Sequence, residues 1–208
     1  MLKSPQEYRK ARACVFKHLA ENIERAITIL DVGGTVEYWK CDALIPFNAK
    51  RIILLNLFRQ NVSNPFESTI GDACDLSSYK DNSFDVVFSN STINLLNNAC
   101  DQASMASEMR RVAKKYFLQT PNHYFPIDWR TKVPFFHLLS PHAQSLFFHK
   151  INVGTYRRTR SKEKATKLAT RIRNLTYSEL KTLFPDASII SEQVFGFSKS
   201  FMVTNLHK

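Results

Sequence analysis

Hydrophobic and polar positions along the chain fall into blocks that predict strands separated by helices. From about Pro5 to Arg25 apolar residues recur at helical spacing with basic residues between them, which predicts an amphipathic first helix. The runs that follow are continuously apolar and rich in β-branched and aromatic residues, as is typical of strands that are buried on both faces. The predicted strands are 27–32, 51–57, 66–70, 84–91, 116–120, 188–195 and 199–204.

Helical spacing also predicts two later helices, at about 101–113 and 176–184, and a short ambiguous helical stretch over 37–47. The second helix begins with a capping-box pattern, Thr176-Tyr177-Ser178-Glu179. Only about eight residues separate the second strand from the third, whereas a parallel crossover usually takes a dozen or more. Strands that alternate with helices predict an α/β fold, in which this one crossover helix is absent or very short.

The first strand ends in an acidic residue and then in a glycine turn, Asp31-Val32-Gly33-Gly34-Thr35. Glycine permits the positive φ of a tight turn and lets a ligand approach the backbone closely. In open α/β sheets the ligand lies beyond the carboxyl ends of the strands. Three further predicted strands also end in polar groups, at Asn56, at Gly71–Asp75 and at Ser89–Ser91, so this edge of the sheet suits a nucleoside-like ligand.

The segment 122–175, which we call the lid segment, differs in composition from the rest of the chain. Its aromatic residues are Tyr124, Phe125, Trp129, Phe135, Phe136, Phe147 and Phe148, and its basic run is Arg157, Arg158, Arg160, Lys162, Lys164, Lys167, Arg171 and Arg173. No internal repeat or low-complexity linker divides the chain. We therefore predict a single domain over 1–208, with 122–175 inserted as an aromatic and basic cap or lid. The simpler interpretation of the aromatic residues is packing within the lid, and the simpler interpretation of the basic run is a solvated helix face.

The overall charge indicates an acidic partner. The formal net charge is +11, which would attract nucleic acid, an anionic membrane surface or a phosphorylated substrate, with simple solubilising charge as the alternative. The four cysteines are scattered without Cys-x-x-Cys spacing, so neither a zinc site nor a disulfide framework is expected, and a reducing cytoplasm is the default location. No apolar run reaches the roughly 20 residues that span a bilayer, and the N-terminal residues lack the apolar core of a signal peptide.

Six motifs in this order and spacing resemble one enzyme family. They are Leu30-Asp31-Val32-Gly33-Gly34-Thr35, Gly71-Asp72-Ala73, Phe84-Asp85-Val86-Val87-Phe88-Ser89-Asn90-Ser91, Gln119-Thr120-Pro121-Asn122, Tyr124-Phe125-Pro126-Ile127 and Leu183-Phe184-Pro185-Asp186-Ala187. The chain resembles the class I S-adenosylmethionine-dependent methyltransferases, in particular the methyltransferase type 11-like group that is often found with bacterial surface-glycan biosynthesis. The resemblance implies a Rossmann-like doubly wound sheet, mostly parallel with an antiparallel C-terminal strand, in three layers α/β/α, and S-adenosylmethionine as cofactor.

The resemblance also implies roles for residues at the strand ends. Gly33 and Gly34 would let the methionine part of the cofactor approach the backbone, and Asp31 would lie near its amino group. Ser89 and Asn90 would line the floor of the site near the transferred methyl group.

In this family, residues at the ends of the second and third strands bind the adenosine part of the cofactor. Asp72 would accept from the adenine amino group, and the backbone of Ala73 would donate to the ring. Asn56 stands where relatives have an acidic residue for the ribose hydroxyls, so it offers an amide without the charge-assisted bond. A second departure is Asn94-Leu95, where relatives often have Glu-His. These departures leave open a catalytically silent member of the family.

Methyl transfer from a sulfonium requires mainly alignment and a dry cavity, but a hydroxyl acceptor also needs a base. The candidates for that base are His123 and Asp128, just after the fifth predicted strand, and His137 is the next. No metal site is expected.

The fourth strand ends in Ser89-Asn90-Ser91-Thr92, which lacks the Asn/Asp-Pro-Pro-aromatic pattern of enzymes that methylate amino groups. We therefore expect a small-molecule or glycan acceptor, methylated at oxygen, with nucleic acid less favoured. A lipid-linked acceptor and peripheral contact with an anionic membrane, at its inner face, fit an aromatic lid beside a basic run. The alternatives are a silent cofactor- or ligand-binding protein and an RNA methyltransferase. A nicotinamide-dependent reductase is disfavoured, because Thr35 and Tyr38 replace the later glycines of its turn. The oligomeric state is left open.

Overall fold

The computed structural model describes residues 4–40, 45–128 and 130–207, which form a seven-stranded sheet with helices on both faces. The strands are β1 (Ile27–Val32), β2 (Ala49–Asn56), β3 (Phe66–Ile70), β4 (Phe84–Asn90), β5 (Ala113–Pro121), β6 (Ser188–Val194) and β7 (Phe197–Thr204). The helices are α1 (Pro5–Glu21), α2 (Val36–Lys40), α3 (Ala99–Val112), α4 (Pro141–Lys150), α5 (Lys162–Thr170) and α6 (Tyr177–Leu183). Short 3₁₀ helices lie at Ile93–Leu95 and Phe136–Leu138.

The strands lie in the order β3-β2-β1-β4-β5-β7-β6. Strands β1 to β5 are parallel, and β7 is antiparallel to both β5 and β6. The order of the strands reverses between β1 and β4, so the carboxyl ends of these two strands flank a crevice. This arrangement confirms the predicted doubly wound, mostly parallel sheet with an antiparallel C-terminal strand.

The connection from β2 to β3 is a parallel crossover without a helix. The two strands pair from Ile52 opposite Phe66 to Asn56 opposite Ile70, and residues 57–65 between them contain no helix. The predicted absence of a crossover helix is therefore confirmed. Where its pairing with β3 begins, β2 is also bonded to this loop, because the N–H of Ile52 donates to the carbonyl of Pro65 at 3.0 Å.

Each face of the sheet is covered by its own apolar layer, which confirms the three-layer arrangement. On one face α1 and α2 place Phe16 and Trp39 against Phe88 and Phe117, with ring centroids 4.6–5.3 Å apart for the pairs Phe16–Phe88, Trp39–Phe88 and Phe16–Phe117. On the other face α3 and α6 bury residues that recur at helical spacing: Met105, Met109, Val112, Leu180 and Phe184. The sheet is thus buried on both sides, as its continuously apolar strands predict.

The predicted first helix is correct in its start and too long at its end. Ser4 and Glu7 form a capping box in front of Pro5, and the helix ends at Glu21 rather than near Arg25. The ambiguous 37–47 stretch is helical over 36–40, and part of it, 41–44, lies outside the described residues together with Trp129. The lid segment contains two helices, α4 and α5, for which no boundaries were predicted.

The lid segment leaves and rejoins the sheet at one place. Asn122 bridges Leu175, and the N–H of His123 donates to the carbonyl of Leu175 at 3.0 Å. Between these points α4 and α5 pack together around a small separate core that consists of Phe136, Phe148, Val153, Ala165 and Ala169. In the part of the chain that the structure describes, no helix combines the length and apolarity needed to cross a membrane.

Candidate active site

A cavity of about 520 Å³ lies at the carboxyl ends of β1, β4 and β5, within the roughly 300–1,000 Å³ typical of small-molecule sites. Its walls come from these strand ends, from α1 and from the lid segment. Six residues predicted for the site line it: Asp31, Gly33, Gly34, Asn90, Asp128 and His137. Asn56, Asp72, Ala73, Ser89 and His123 do not line this cavity.

Asp31 is the buried acid of the cavity. The indole Nε1 of Trp39 donates to its Oδ2 at 2.6 Å, while its Oδ1 has no hydrogen-bond partner among the described residues. Burial raises the pKa of Asp31 from 3.8 to about 7, and the bond from Trp39 opposes that shift. A cationic donor on a ligand would satisfy Oδ1 and favour the ionised carboxylate, so this buried acceptor fits an ammonium group.

The two glycines of the turn make room for the chain's own side chains. A Cβ at Gly34 would overlap the Asp31 carboxylate, and a Cβ at Gly33 would overlap the Thr92 side chain. Gly33 also has φ +79°, a backbone conformation that favours glycine. The turn is therefore packed from below by Asp31 and from the side by Thr92, and its backbone faces the cavity.

Asn56 holds the same turn from β2. Its amide Nδ2 donates to the carbonyl of Gly34 at 2.7 Å, and Nε2 of Gln60 donates to the same oxygen at 2.9 Å. A carboxylate in this position could not donate to a carbonyl, whereas an amide can. The replacement of an acidic residue by Asn56 therefore has a local physical reason, namely the anchoring of Gly34.

The other residues predicted for the cofactor lie around the cavity rather than in its wall. Asp72 is exposed after β3, and its Oδ1 accepts from the N–H of Cys74 at 2.8 Å. Ala73 packs on the core layer under α3. Ser89 is buried and donates to the carbonyl of Val32 at 3.1 Å, which joins the ends of β4 and β1. Only Asn90, whose Oδ1 is buried without a described partner, lies in the wall.

A second cavity of about 440 Å³ lies on the lid side and is lined by His123. Asp128, His137 and Asn174 line both cavities and so stand between them. Oδ1 of Asp128 accepts from the backbone N–H groups of Arg130 and Thr131 at 2.7 and 3.3 Å. The Asp128 carboxylate also lies 3.6 Å from the Arg130 guanidinium, so it is held in place at the start of the lid segment.

His137 is the more completely oriented of the two histidines. Its Nε2 lies 2.9 Å from the carbonyl of His123, and because a carbonyl can only accept, Nε2 is the nitrogen that donates a proton to this bond. That leaves Nδ1 as the basic atom, and it has no hydrogen-bond partner among the described residues. The pKa of His123 is lowered by burial and secondarily by His137.

Besides Arg130, three cations in the cavity wall were not predicted from the sequence: Arg9, Arg12 and Lys199. Arg12 pairs with Glu192 at 3.1 Å, and Lys199 lies 3.8 Å from the same residue and 3.1 Å from the centre of the Tyr8 ring. Burial lowers the pKa of Lys199. These residues come from α1 and β7, so no local sequence signal connects them. Among the described residues no group of three His, Cys, Asp or Glu side chains is placed to hold a metal ion.

Comparison with known proteins gives a family for the central part of the chain. Residues 44–116, from just before β2 into β5, match the family model described as a methyltransferase domain. This part of the chain, about a third of its length, is thereby assigned to a methyltransferase domain. The match stops short of the glycine turn and of the lid segment, so the site's two distinctive halves lie outside it. Among curated proteins, no sequence matches the chain significantly.

Solved structures share the fold of this methyltransferase domain. The magnesium protoporphyrin IX methyltransferase of Synechocystis, solved with S-adenosylhomocysteine, is 11% identical with a TM-score of 0.57, over 96% of this chain and 81% of that one. A protein from Pyrococcus horikoshii is 14% identical with a TM-score of 0.56, over 97% and 91%. A toxoflavin-precursor N1-methyltransferase of Burkholderia thailandensis, solved with its acceptor and S-adenosylhomocysteine, is 10% identical with a TM-score of 0.56, over 96% and 77%. At such identities the likeness shows the class I methyltransferase fold.

Proposed function

We propose that this chain transfers a methyl group from S-adenosylmethionine to a hydroxyl oxygen of a small-molecule acceptor, with glycan hydroxyls as the favoured class. The observation that carries the proposal is the buried, unsatisfied Oδ1 of Asp31 beside the Gly33–Gly34 turn, in a cavity at the reversal of strand order. The methyltransferase domain and the cofactor-bound structures of the same fold support it. The cofactor supplies a methyl group that is activated by the positive charge of its sulfonium sulfur.

The chain's residues divide between the two halves of such a ligand. Asp31 would take the ammonium group, and the backbone of Gly33 and Gly34 would lie along the methionine part. Asn90 lines the cavity at the end of β4, where the reacting centre would lie. The ribose and adenine would extend along the carboxyl ends of β2 and β3, where the family resemblance places Asn56, Asp72 and Ala73.

The acceptor would enter from the lid side, where three polar residues stand between the two cavities. Among them His137 has the features of a general base, because its Nε2 is fixed by a carbonyl and its Nδ1 has a free lone pair. Asp128 is less suited to this role, since its carboxylate is already engaged by two N–H groups and a guanidinium. The base is thus assigned to His137, with Asp128 and His123 positioning the start of the lid.

Titration calorimetry with S-adenosylmethionine and S-adenosylhomocysteine tests the cofactor assignment. The isosteric change Asp31→Asn should weaken both ligands by about tenfold or more, because it removes a charge-assisted bond. Cys100→Ser, at an exposed position on α3, is the matched control and should leave the affinity unchanged. Absence of binding to the wild-type protein at millimolar ligand would refute the proposal.

Transfer of a labelled methyl group to a panel of free and lipid-linked sugars tests the reaction itself. On any acceptor that is methylated, His137→Gln should lower kcat by about 100-fold or more without changing cofactor affinity. The loss of kcat in His137→Gln should become smaller at high pH if the acceptor hydroxyl then ionises without a general base. His123→Gln is the comparison variant, and an equal loss of kcat there would transfer the base to His123.

A second candidate function is cofactor binding without catalysis. The side-chain amides of Asn56 and Gln60 both donate to the carbonyl of Gly34, and Asp72 accepts from the N–H of Cys74 in its own loop. Fewer side-chain groups are therefore free to bind the adenosine part of the cofactor than in the family pattern. This candidate would be favoured if calorimetry shows that S-adenosylmethionine binds while no acceptor class is methylated. His137→Gln should then have no effect on cofactor binding.

A further inference from the structure

The lid segment exposes an unusual number of large hydrophobic side chains. Of the 18 exposed ones in the described part of the chain, nine lie within residues 124–151. They are Tyr124, Ile127, Val133, Phe135, Leu138, Leu139, Leu146, Phe147 and Ile151, each 40–65% exposed. Single exposed hydrophobic residues are ordinary, but such a concentration marks an interaction surface.

Five of these residues lie on stretches of the lid segment that contact one another, and we call them together the apolar ridge: Ile127, Val133, Phe135, Leu146 and Phe147. Ile127 bridges Pro134, whose neighbours in the chain are Val133 and Phe135. The ring of Phe136, the residue after Phe135, lies 5.7 Å from the Phe147 ring, which places this stretch beside α4.

On α4 the ridge is completed by the helix face that points away from the lid core. At 100° per residue, Leu146 and Lys150 lie opposite the buried Phe148, and Phe147 lies beside them. A cation therefore directly adjoins the apolar side chains.

The ridge is held in its exposed position by the structure around it. The N–H of Phe135 donates to the carbonyl of Pro126 at 2.7 Å, and Phe135 has φ +59°. Helix α4 is fastened to its surroundings by a bond between the Ser145 and Thr166 hydroxyls at 3.2 Å and by His149 Nδ1 to the carbonyl of Thr159 at 3.0 Å. The exposed side chains are thus part of a packed unit.

Positive charge is concentrated in the segment that carries the ridge. Residues 122–175 contain eleven of the chain's 29 Lys and Arg residues but two of its 18 acidic residues, so they carry +9 of the net +11. Nine of those eleven are exposed: Lys132, Lys150, Arg157, Arg158, Arg160, Lys162, Lys164, Lys167 and Arg171. The charge that suggested an acidic partner is therefore concentrated on the segment that carries the ridge.

We propose that the lid segment docks on the surface of an anionic lipid bilayer, with the apolar ridge in the interface and the basic residues against the headgroups. Apolar side chains flanked by Lys and Arg match the requirements of an interfacial anchor. A nucleic acid would use the charge but not Ile127, Val133 or Leu146, since aliphatic side chains do not stack on bases. A second copy of the lid segment, docked on the first, would place two segments of net charge +9 against each other, and they would repel.

Docking in this orientation brings the mouth of the cavity to the membrane, because Ile127 belongs both to the ridge and to the wall of the 520 Å³ cavity. The inference goes beyond the proposed function and does not depend on it. Vesicle binding requires neither cofactor nor catalysis, so each can fail without the other.

Co-sedimentation of the full chain with vesicles tests the proposal. Phosphatidylcholine vesicles that contain about a third phosphatidylglycerol should bind the protein at low salt, and pure phosphatidylcholine should bind it at least about tenfold less. Phe135→Ser with Leu146→Ser, neither of which lines the 520 Å³ or the 440 Å³ cavity, should lower the partition coefficient by about tenfold. The matched control is Phe195→Ser with Phe197→Ser, which removes two exposed aromatic residues from the β6–β7 hairpin and should change it less than about twofold.

The basic residues are tested in the same way. Arg157→Gln with Arg158→Gln should reduce binding about tenfold, whereas Lys50→Gln with Lys80→Gln, two exposed lysines outside the lid, should have a small effect. Thermal unfolding of each variant verifies that the lid is intact. No binding to anionic vesicles, equal losses in lid and control variants, or tight salt-sensitive binding to single-stranded RNA without vesicle binding would each overturn the proposal.

Discussion

The glycine turn and the lid segment face each other across one cavity, yet they are built in opposite ways. The turn is held by groups from three directions, with Asp31 below it, Thr92 beside it and the Asn56 and Gln60 amides on its carbonyl. The lid segment rests on a core of five buried residues, and it leaves polar atoms of His137 and Asn174 without described partners. A turn that the sheet holds in place, opposite a lid that has only a small core of its own, suits a site that must position one ligand and admit another.

The largest expected effect is that of Gly34→Ala. The new Cβ would overlap the buried Asp31 carboxylate and displace it from its bond with Trp39, so we expect a loss of about 3 kcal/mol or more in the free energy of unfolding, and loss of ligand binding. Denaturant unfolding measures this. Gly71→Ala is the control, because its Cβ would meet Leu55 at 3.1 Å, a mild contact, and should cost about 1 kcal/mol. Similar losses in both variants would contradict a tightly packed turn.

Phe148→Ala should open the lid without unfolding the sheet. Phe148 is 2% exposed in the small lid core, and its truncation should cost about 3 kcal/mol of local stability. Hydrogen exchange should then accelerate in α4 and α5 and stay slow in β4 and β5. Phe88→Ala, in the aromatic layer under α1, should instead accelerate exchange throughout the sheet. Uniform acceleration in both variants would mean that the lid and sheet unfold together.

Asp31 should make stability depend on pH in an unusual direction. Its pKa is about 7 in the folded chain and 3.8 in its ordinary state, so folding takes up a proton between these values and stability falls as the pH rises from about 4 to 7. Asp31→Asn removes this slope, so the variant should gain about 2–4 kcal/mol relative to the wild type over that interval. Unfolding at several pH values measures the difference, and parallel profiles would show that Asp31 is ionised in the folded chain.

The smallest expected effects on the free energy of unfolding come from removing one ion pair in each region. Glu192 holds both Arg12 and Lys199 and is 10% exposed, so Glu192→Gln should cost about 1–3 kcal/mol. Glu163 pairs with Lys167 on the outer face of α5, where both side chains are about three-quarters exposed, and Glu163→Gln should cost less than about 0.5 kcal/mol. Equal costs would mean that burial does not separate the two regions electrostatically.

The strands were predictable because a strand that is buried on both faces is a continuous run of apolar residues in the sequence. The strands 27–32 and 66–70 agree with β1 and β3 to the residue, and the missing crossover helix after β2 was visible in the short spacing alone. The lid helices were not bounded in advance, since the large apolar residues of α4 are three neighbours, Leu146, Phe147 and Phe148, which show no helical spacing. The apolar stripe of α5, at Ala165, Leu168 and Ala169, is short and consists mostly of small residues.

The residues of the candidate site were predictable chiefly where polar groups follow a strand directly. Asp31, Gly33, Gly34 and Asn90, which line the cavity, were predicted because each lies at or just past the end of a strand, and Asp128 and His137 because they follow the fifth strand within the next 20 residues. Arg12, Lys199 and Asn174 were not, because they are far apart in sequence. Their place in the cavity depends on how α1, β7 and the end of the lid pack against β5.

By itself the sequence determined the buried strands, the polar groups at their ends and the concentration of aromatic and basic residues in 122–175. These are local properties, written in the identity and spacing of neighbouring residues. Only the tertiary structure decided that the glycines of the turn accommodate Asp31 and Thr92 and that Asn56 serves the Gly34 carbonyl. It also decided that His137 keeps its free nitrogen between two cavities. Each of these depends on contacts between residues distant in the chain, whose geometry the order of the strands sets and local pattern does not.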